Sequence, residues 1–226
     1  MARPARRAVP AAAALVAAAA ICGCSDPDRE RLKATTKPTY DKTTGQLKEL
    51  TFDANRNGRI DTWTDMDGTR PLRSRIDTDE DGTLDRWEYY NDAGRLARVG
   101  MSRNGNGQPD AWAYSTADGR IARIESSSVG DEVRIDRWEY YDTTAAPAAA
   151  GPGPLLRVES DSNHDGRADK WERYTHGVLE TAEFDENGDG RPDRRITYRG
   201  ADLVSIETAP DGHGRYGKKT VPAGSR

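Results

Sequence analysis

Acidic side chains recur in this chain at alternate positions of nine-residue segments that each end on an aspartate. The densest is DTDEDGTLD, residues 77–85, and DSNHDGRAD (161–169) and DENGDGRPD (185–193) keep its D-x-D/N-x-D-G-x-x-D spacing. DANRNGRID (53–61) departs from it by having Asn57 in place of the third acid. Carboxylates crowded within a few residues repel one another unless a positive charge sits among them. A hard divalent cation answers that need: calcium takes roughly six to eight oxygens at about 2.3–2.6 Å, supplied from alternate loop positions, with a glycine at the sharp bend. In the second segment those oxygens are expected from Asp77, Asp79, Asp81, the Thr83 carbonyl and Asp85, with Gly82 at the bend. The matching sets are Asp161, Asn163, Asp165, the Arg167 carbonyl and Asp169; Asp185, Asn187, Asp189, the Arg191 carbonyl and Asp193; and Asp53, Asn55, Asn57 and Asp61. Magnesium demands stricter octahedral geometry, and zinc asks for His or Cys, which are not placed for it.

Two further copies lack this chemistry. SRNGNGQPD (102–110) keeps a single acid, and SVGDEVRID (128–136) has neither the glycine nor the acids in register, so neither is expected to hold metal. Asp, Asn and Gly also make good turns without any ion. That explains Asn104-Gly105-Asn106-Gly107 well and the triple acids badly.

The elements that must position these segments follow from a repeat. The closing aspartates stand two residues before a tryptophan at Asp61/Trp63, Asp85/Trp87, Asp110/Trp112, Asp136/Trp138 and Asp169/Trp171, and a sixth copy pairs Asp193 with Arg195. The spacings are 24, 25, 26, 33 and 24 residues, and all 5 tryptophans of the chain share one repeat position. The long spacing has a visible cause, an Ala/Pro/Gly insertion over 143–154 at an exposed loop tip. A unit reads RLARVGM, SRNGNGQPD, AWAYS, TADG: runs of about five to seven residues bounded by Gly, Asn and Asp, which are strand–turn–strand signals. Neither run is long enough for a helix. Trp87 and Tyr89 share one face of their strand, with Arg86, Glu88 and Tyr90 on the other. The expected fold is therefore all-β: an antiparallel meander of about six tandem β-hairpin repeats of ~24 residues, with an aromatic-rich and a charged face, forming a curled or partly closed sheet. The acidic loops should line one edge of it, some 10 Å apart.

The ends read differently. Arg3, Arg6 and Arg7 precede an alanine-rich apolar run ending at Ile21, the layout of a secretory signal. Both cysteines follow directly, in Ile21-Cys22-Gly23-Cys24, so the mature part carries no disulfide and no thiol chemistry. Loss of residues 1–23 removes three arginines and no acids, taking the formal charge from −4 to −7. An acidic mature chain argues against nucleic acid as a partner and suits one that holds cations. Residues 24–44 are expected to form a flexible tether, 45–207 the repeat domain with a last strand at 203–207, and 208–226 a frayed last unit or disordered tail. His164, His176 and His213 are scattered, and His164 is read as solvated.

Several of these stretches resemble known families. The string DTDEDGTLDRWEY matches the loop of an EF-hand, with Glu88 at its twelfth position as Glu172 is in the fifth segment, although an EF-hand has amphipathic helices on both sides. The acidic segments resemble the calcium loops of integrin-type propeller, dockerin and thrombospondin type 3 repeats. The surrounding W-x-Y-Y…G-x-L units are similar to the aromatic hairpins of bacterial YD (RHS-type) and MORN-like repeats. Ile21–Cys24 resembles the lipobox of bacterial lipoproteins; that implies cleavage before Cys24, acylation of its amino and thiol groups and, with Ser25 next, residence at the outer membrane. Together these imply a lipid-anchored, calcium-binding structural or binding module of the cell envelope, partnered by the membrane and by envelope polysaccharide or protein. A carbohydrate- or protein-binding adhesin and a polysaccharide-active enzyme are the alternatives. No G-x-S-x-G, H-E-x-x-H, P-loop or dinucleotide fingerprint is present, and the chain is not expected to be an enzyme.

Overall fold

A computed structural model describes residues 35–129, 134–145, 151–211 and 213–221. The signal segment, Cys24 and the first part of the tether lie outside the described residues. Among the described residues fifteen strands follow one another: β1 (Thr36–Tyr40), β2 (Leu47–Phe52), β3 (Thr62–Asp67), β4 (Arg70–Ile76), β5 (Arg86–Tyr90), β6 (Leu96–Met101), β7 (Ala111–Ser115) and β8 (Ile121–Ser126). The second half continues with β9 (Arg137–Tyr141), β10 (Leu155–Ser160), β11 (Lys170–Thr175), β12 (Val178–Phe184), β13 (Arg194–Arg199), β14 (Asp202–Pro210) and β15 (Tyr216–Thr220). Each pairs antiparallel with its chain neighbours, in the unbroken order β1 to β15, so the described residues form one meander sheet with β1 and β15 as its outer strands, not closed into a barrel.

Register decides what each face carries. Trp87 stands opposite Gly100, which stands opposite Trp112; one row further, Tyr89 faces Arg98 and Arg98 faces Tyr114. The tryptophan strands and the strands between them thus contribute different residue types to the same face. Arg98 lies over the Tyr89 and Trp112 rings at 4.3 and 4.7 Å, Arg123 over Tyr114 at 4.3 Å and Arg157 over Tyr140 at 4.1 Å. Gly100 is required here, because a Cβ at that position would sit 2.8 Å from the Trp112 indole. The opposite face carries a row of Ser74, Glu88, Val99, Ala113, Ile124, Glu139, Val158, Glu172 and Ala182. It holds the best buried apolar positions of the sheet, with Val158 at 0% and Ala182 at 2% exposure. The expected division into an aromatic face and a charged face is corrected accordingly: both faces are mixed, and the aromatic one is covered by stacked arginines rather than by a second layer.

Glu88 is only 8% exposed within that apolar row, and its own strand satisfies it. Arg86 Nε donates to Oε1 and the Tyr90 hydroxyl to Oε2, at 2.8 and 2.7 Å, because residues two apart in a strand share a face. Arg137, Glu139 and Tyr141 repeat the triad. Burial, and then the Glu88 carboxylate, push the Tyr90 phenol up to about 12.

The N-terminal end of the array corrects the expectation, and the C-terminal end carries a last strand. Thr36–Tyr40, inside the expected tether, forms β1, and Tyr216–Thr220, inside the expected tail, forms β15, while β14 runs on to Pro210. An edge strand has one partner and needs no buried face, so low apolar content does not exclude it. Pro38 and Lys218–Lys219 are typical of protected edges. The strands β9 and β10 flank the insertion over 143–154, and the Asp142 amide donates to the Pro154 carbonyl at 2.8 Å.

Candidate metal centre

All six nine-residue segments connect strands on one edge of the sheet, and the short turns line the other. Each loop is tied at its base: its last residue's amide donates to the strand residue just before the loop, as Asp85 to the Ile76 carbonyl at 2.9 Å and Asp169 to Ser160 at 2.8 Å. Successive loops are laddered as well, because the first residue's amide donates to the ninth residue's carbonyl of the loop before. Asp77 bonds to Asp61, Ser102 to Asp85, Asp161 to Asp136 and Asp185 to Asp169, each at 2.8 Å. In that ladder Ser127 bonds to Asp110 at 2.9 Å, so the fourth loop starts at Ser127 and not at Ser128, one residue longer than the rest.

Within the second loop the backbone turns left-handed twice, at Glu80 (φ 60°) and Gly82 (φ 95°), and this double bend folds both ends of the loop over its middle. One carboxylate oxygen from each of Asp77, Asp79 and Asp85 then lies within 4.8 Å of the other two. Asp77 is 5% exposed. Its Oδ2 accepts the Gly82 amide at 3.0 Å, while its Oδ1 is buried and has no hydrogen-bond partner. A buried carboxylate oxygen left without a donor costs free energy, and a cation removes that cost. The donor set is all hard oxygen, which suits calcium or magnesium and not zinc. Asp85 Oδ2 meanwhile accepts from the Thr78 amide and hydroxyl at 2.6 and 2.7 Å.

Two residues expected in this set stand apart from it. Asp81 accepts the Thr83 amide at 2.7 Å and stays exposed, outside the trio. Glu88 has both oxygens taken by Arg86 and Tyr90. In an EF-hand the twelfth residue swings back because a helix follows the loop; here a strand follows, extending about 3.3 Å per residue and carrying Glu88 away. Glu172 is likewise held by Lys170 at 2.8 Å.

The first, fifth and sixth loops share the backbone path but spend their acids on it. Asp53, Asp161 and Asp185 each use both carboxylate oxygens on loop amides, Asp161 on Asp165 and Gly166 at 3.2 and 2.8 Å, Asp185 on Gly188 and Gly190 at 2.7 Å each. Asp61, Asp169 and Asp193 cap the amides at the loop entrances. Asp165 and Asp189 accept the amides of Arg167 and Arg191. Asn163 and Asn187 accept the amides of Asp165 and Asp189, and no acidic trio is gathered in either loop. Asn55 and Asn57 direct their side-chain amides across to Glu80 of the second loop.

The third and fourth loops find a positive or donor group elsewhere. Arg103 Nε donates to Asp110 Oδ1 at 2.9 Å, and its guanidinium reaches on to the Ser127 carbonyl of the next loop. In the fourth, Asp136 accepts from the Ser128 amide and hydroxyl, and the exposed His164 of the fifth loop holds its Nδ1 3.4 Å away. Sequence reasoning passed over Arg103, Glu80 and His164 because they occupy variable loop positions. The available signal for Arg103 was a cation standing in the loop that keeps a single acid.

No family model matches this chain, and no curated protein matches it. Among solved structures, a Staphylococcus aureus TarM mutant in complex with fondaparinux, alpha-GlcNAc-glycerol and UDP aligns over 46% of this chain and 22% of its own, at 13% identity and a TM-score of 0.34. A likeness of that size says nothing about the work of this chain.

Proposed function

We propose that this chain is a calcium-braced β-repeat lipoprotein, held to the outer membrane by acyl groups on Cys24 and serving as a structural or binding module of the envelope rather than as an enzyme. The observation that carries the calcium reading is the trio Asp77, Asp79 and Asp85 with the buried, partnerless Asp77 oxygen among its carboxylates. An ion bound there closes the second loop between its own strands, β4 and β5, and the ladder Asp77–Asp61 and Ser102–Asp85 passes that order to the loops on either side. The site forms only in the folded chain, so binding free energy becomes folding free energy. The basic leader, the apolar run and Cys24 support the anchored, exported setting.

Titration calorimetry of Ca2+ into the mature chain tests the reading. Binding heat in the wild type that disappears in Asp77→Asn supports it; a wild type with no binding heat and the same melting temperature in Ca2+ and in EDTA overturns it. Mass spectrometry of the membrane fraction tests the anchor: a diacylglyceryl group on Cys24 is expected, and an unmodified cysteine rules it out. The aromatic rows give the sugar-platform alternative little to stand on, because arginines already stack on the Tyr89, Trp112, Tyr114 and Tyr140 rings.

A further inference from the structure

The repeat breaks at its C-terminal end in three places that meet at one spot. Arg195 occupies the position that is tryptophan in the five units before it. The next connection on the loop edge, between β14 and β15, is a tight turn closed by the Asp211 amide on the Arg215 carbonyl at 2.7 Å, in place of a nine-residue loop. Ala209 turns left-handed within β14 at φ 56°, between the pairs Thr208–Lys218 and Pro210–Tyr216. A missing indole and a missing loop leave a hollow of about 720 Å³ between the sixth loop and that turn. Its size is that of a small-molecule site.

We propose that this hollow binds a neutral saccharide unit. Glu183, Asp193, Arg195, Asp211, His213 and Tyr216 are on its wall. The carboxylates there are already compensated: Glu183 by Arg195 at 2.6 Å, Asp193 by the amides of Glu186 and Asn187, Asp211 by the amides of His213 and Arg215 and by Arg215 Nε at 2.9 Å. Compensated carboxylates retain lone pairs that accept hydrogen bonds but offer little net charge to a cation, and an anion meets acids on every side. Hydroxyl groups, which donate and accept at once, match a wall of acceptors interleaved with Arg191, Arg195 and His213. Tyr216 is stacked with Arg195 at 4.8 Å, so recognition in the hollow rests on hydrogen bonds and not on an open aromatic face. An end cap for the array needs polar surface only; it does not need the recurring tryptophan site emptied and refilled by an ion pair.

Saturation-transfer NMR on the calcium-saturated mature chain, with glucose, mannose, galactose and N-acetylglucosamine as probes, reads this directly. Transfer to at least one of the four is expected. Arg195→Trp, which restores the repeat residue and fills the hollow, should abolish it, and His213→Ala, at an exposed position, should weaken affinity about fivefold with the melting temperature unchanged. Asp77→Asn should leave transfer intact, which separates this site from the cation loop. No transfer to any of the four, or equal transfer in wild type and both hollow variants, overturns the proposal.

Discussion

The second and third loops are adjacent, have nine residues each, bend at the same two positions and hang from the same ladder, yet they neutralise their acids in opposite ways. The second gathers Asp77, Asp79 and Asp85 and leaves an Asp77 oxygen buried without a donor. The third keeps one acid, Asp110, at 2% exposure, and satisfies it with the guanidinium of Arg103, whose side chain is 36% exposed. On the proposed reading one loop takes its cation from solution; the other carries its own on a tether. The strands that follow differ in step: β5 carries Arg86, Glu88 and Tyr90 where β7 carries Ala111, Ala113 and Ser115. A solenoid-like array can mix such units because each needs to agree only with its neighbours.

The largest effect that can break this comparison comes from removing the ion. If free Ca2+ stands near 100 times its Kd, EDTA should cost about 2.7 kcal/mol. For a chain of this size that lowers the melting temperature by roughly 5–10 °C in scanning calorimetry. Asp77→Asn should melt at the same temperature in Ca2+ and in EDTA; a full EDTA response in that variant would move the site to another loop.

Next in size, Arg103→Ala strips the tethered cation and leaves the buried Asp110 carboxylate with the residue 103 amide but no positive partner. Chemical denaturation should show a loss of about 2 kcal/mol, and the loss should be equal with and without Ca2+. A loss that appears only in EDTA would mean that the third loop also takes an ion. Writing DTDEDGTLD over residues 102–110 sharpens the contrast from the other side. Calorimetric stoichiometry should rise by one Ca2+, and an unchanged count would show that loop sequence alone does not build the site.

The smallest effect lies in the strands. Tyr90 is neutral in the fold and its phenol is pushed up to about 12 by burial and then by Glu88. Because the folded value lies above the unfolded value of about 10, the stability it contributes is complete below pH 10 and drains away as pH rises toward 12. Tyr90→Phe should flatten that alkaline decline in urea melts while costing about 1 kcal/mol at pH 7 through the lost hydrogen bond to Glu88. Ser115→Ala, at the matching place in the third unit, should leave the alkaline limb unchanged.

Much of this architecture is readable in the chain because its information is local. Trp87, Trp112, Trp138 and the acids before them recur at one period, and a hairpin's turn residues lie within a few positions of the strands they join. What escaped reading depends on partners far apart in sequence. That Trp112 lies across Gly100, that Arg98 stacks on Tyr89, and that Glu88 shares a row with Val99 all follow from register, which no single strand encodes. The edge strand β1 escaped for a related reason, since a strand with one partner is held by main-chain hydrogen bonds and needs few apolar residues.

By itself, the order of amino acids determined the repeat and its period, the antiparallel connectivity, the side of the sheet on which the loops gather and the oxygen-rich chemistry they offer. Only the folded arrangement decided which acids meet. Coordination needs oxygens a few ångströms apart, and that distance is set by two left-handed bends and by the amides nearest each carboxylate. Asp161 and Asp185 have both oxygens taken by their own backbone, whereas Asp77 keeps one buried and free.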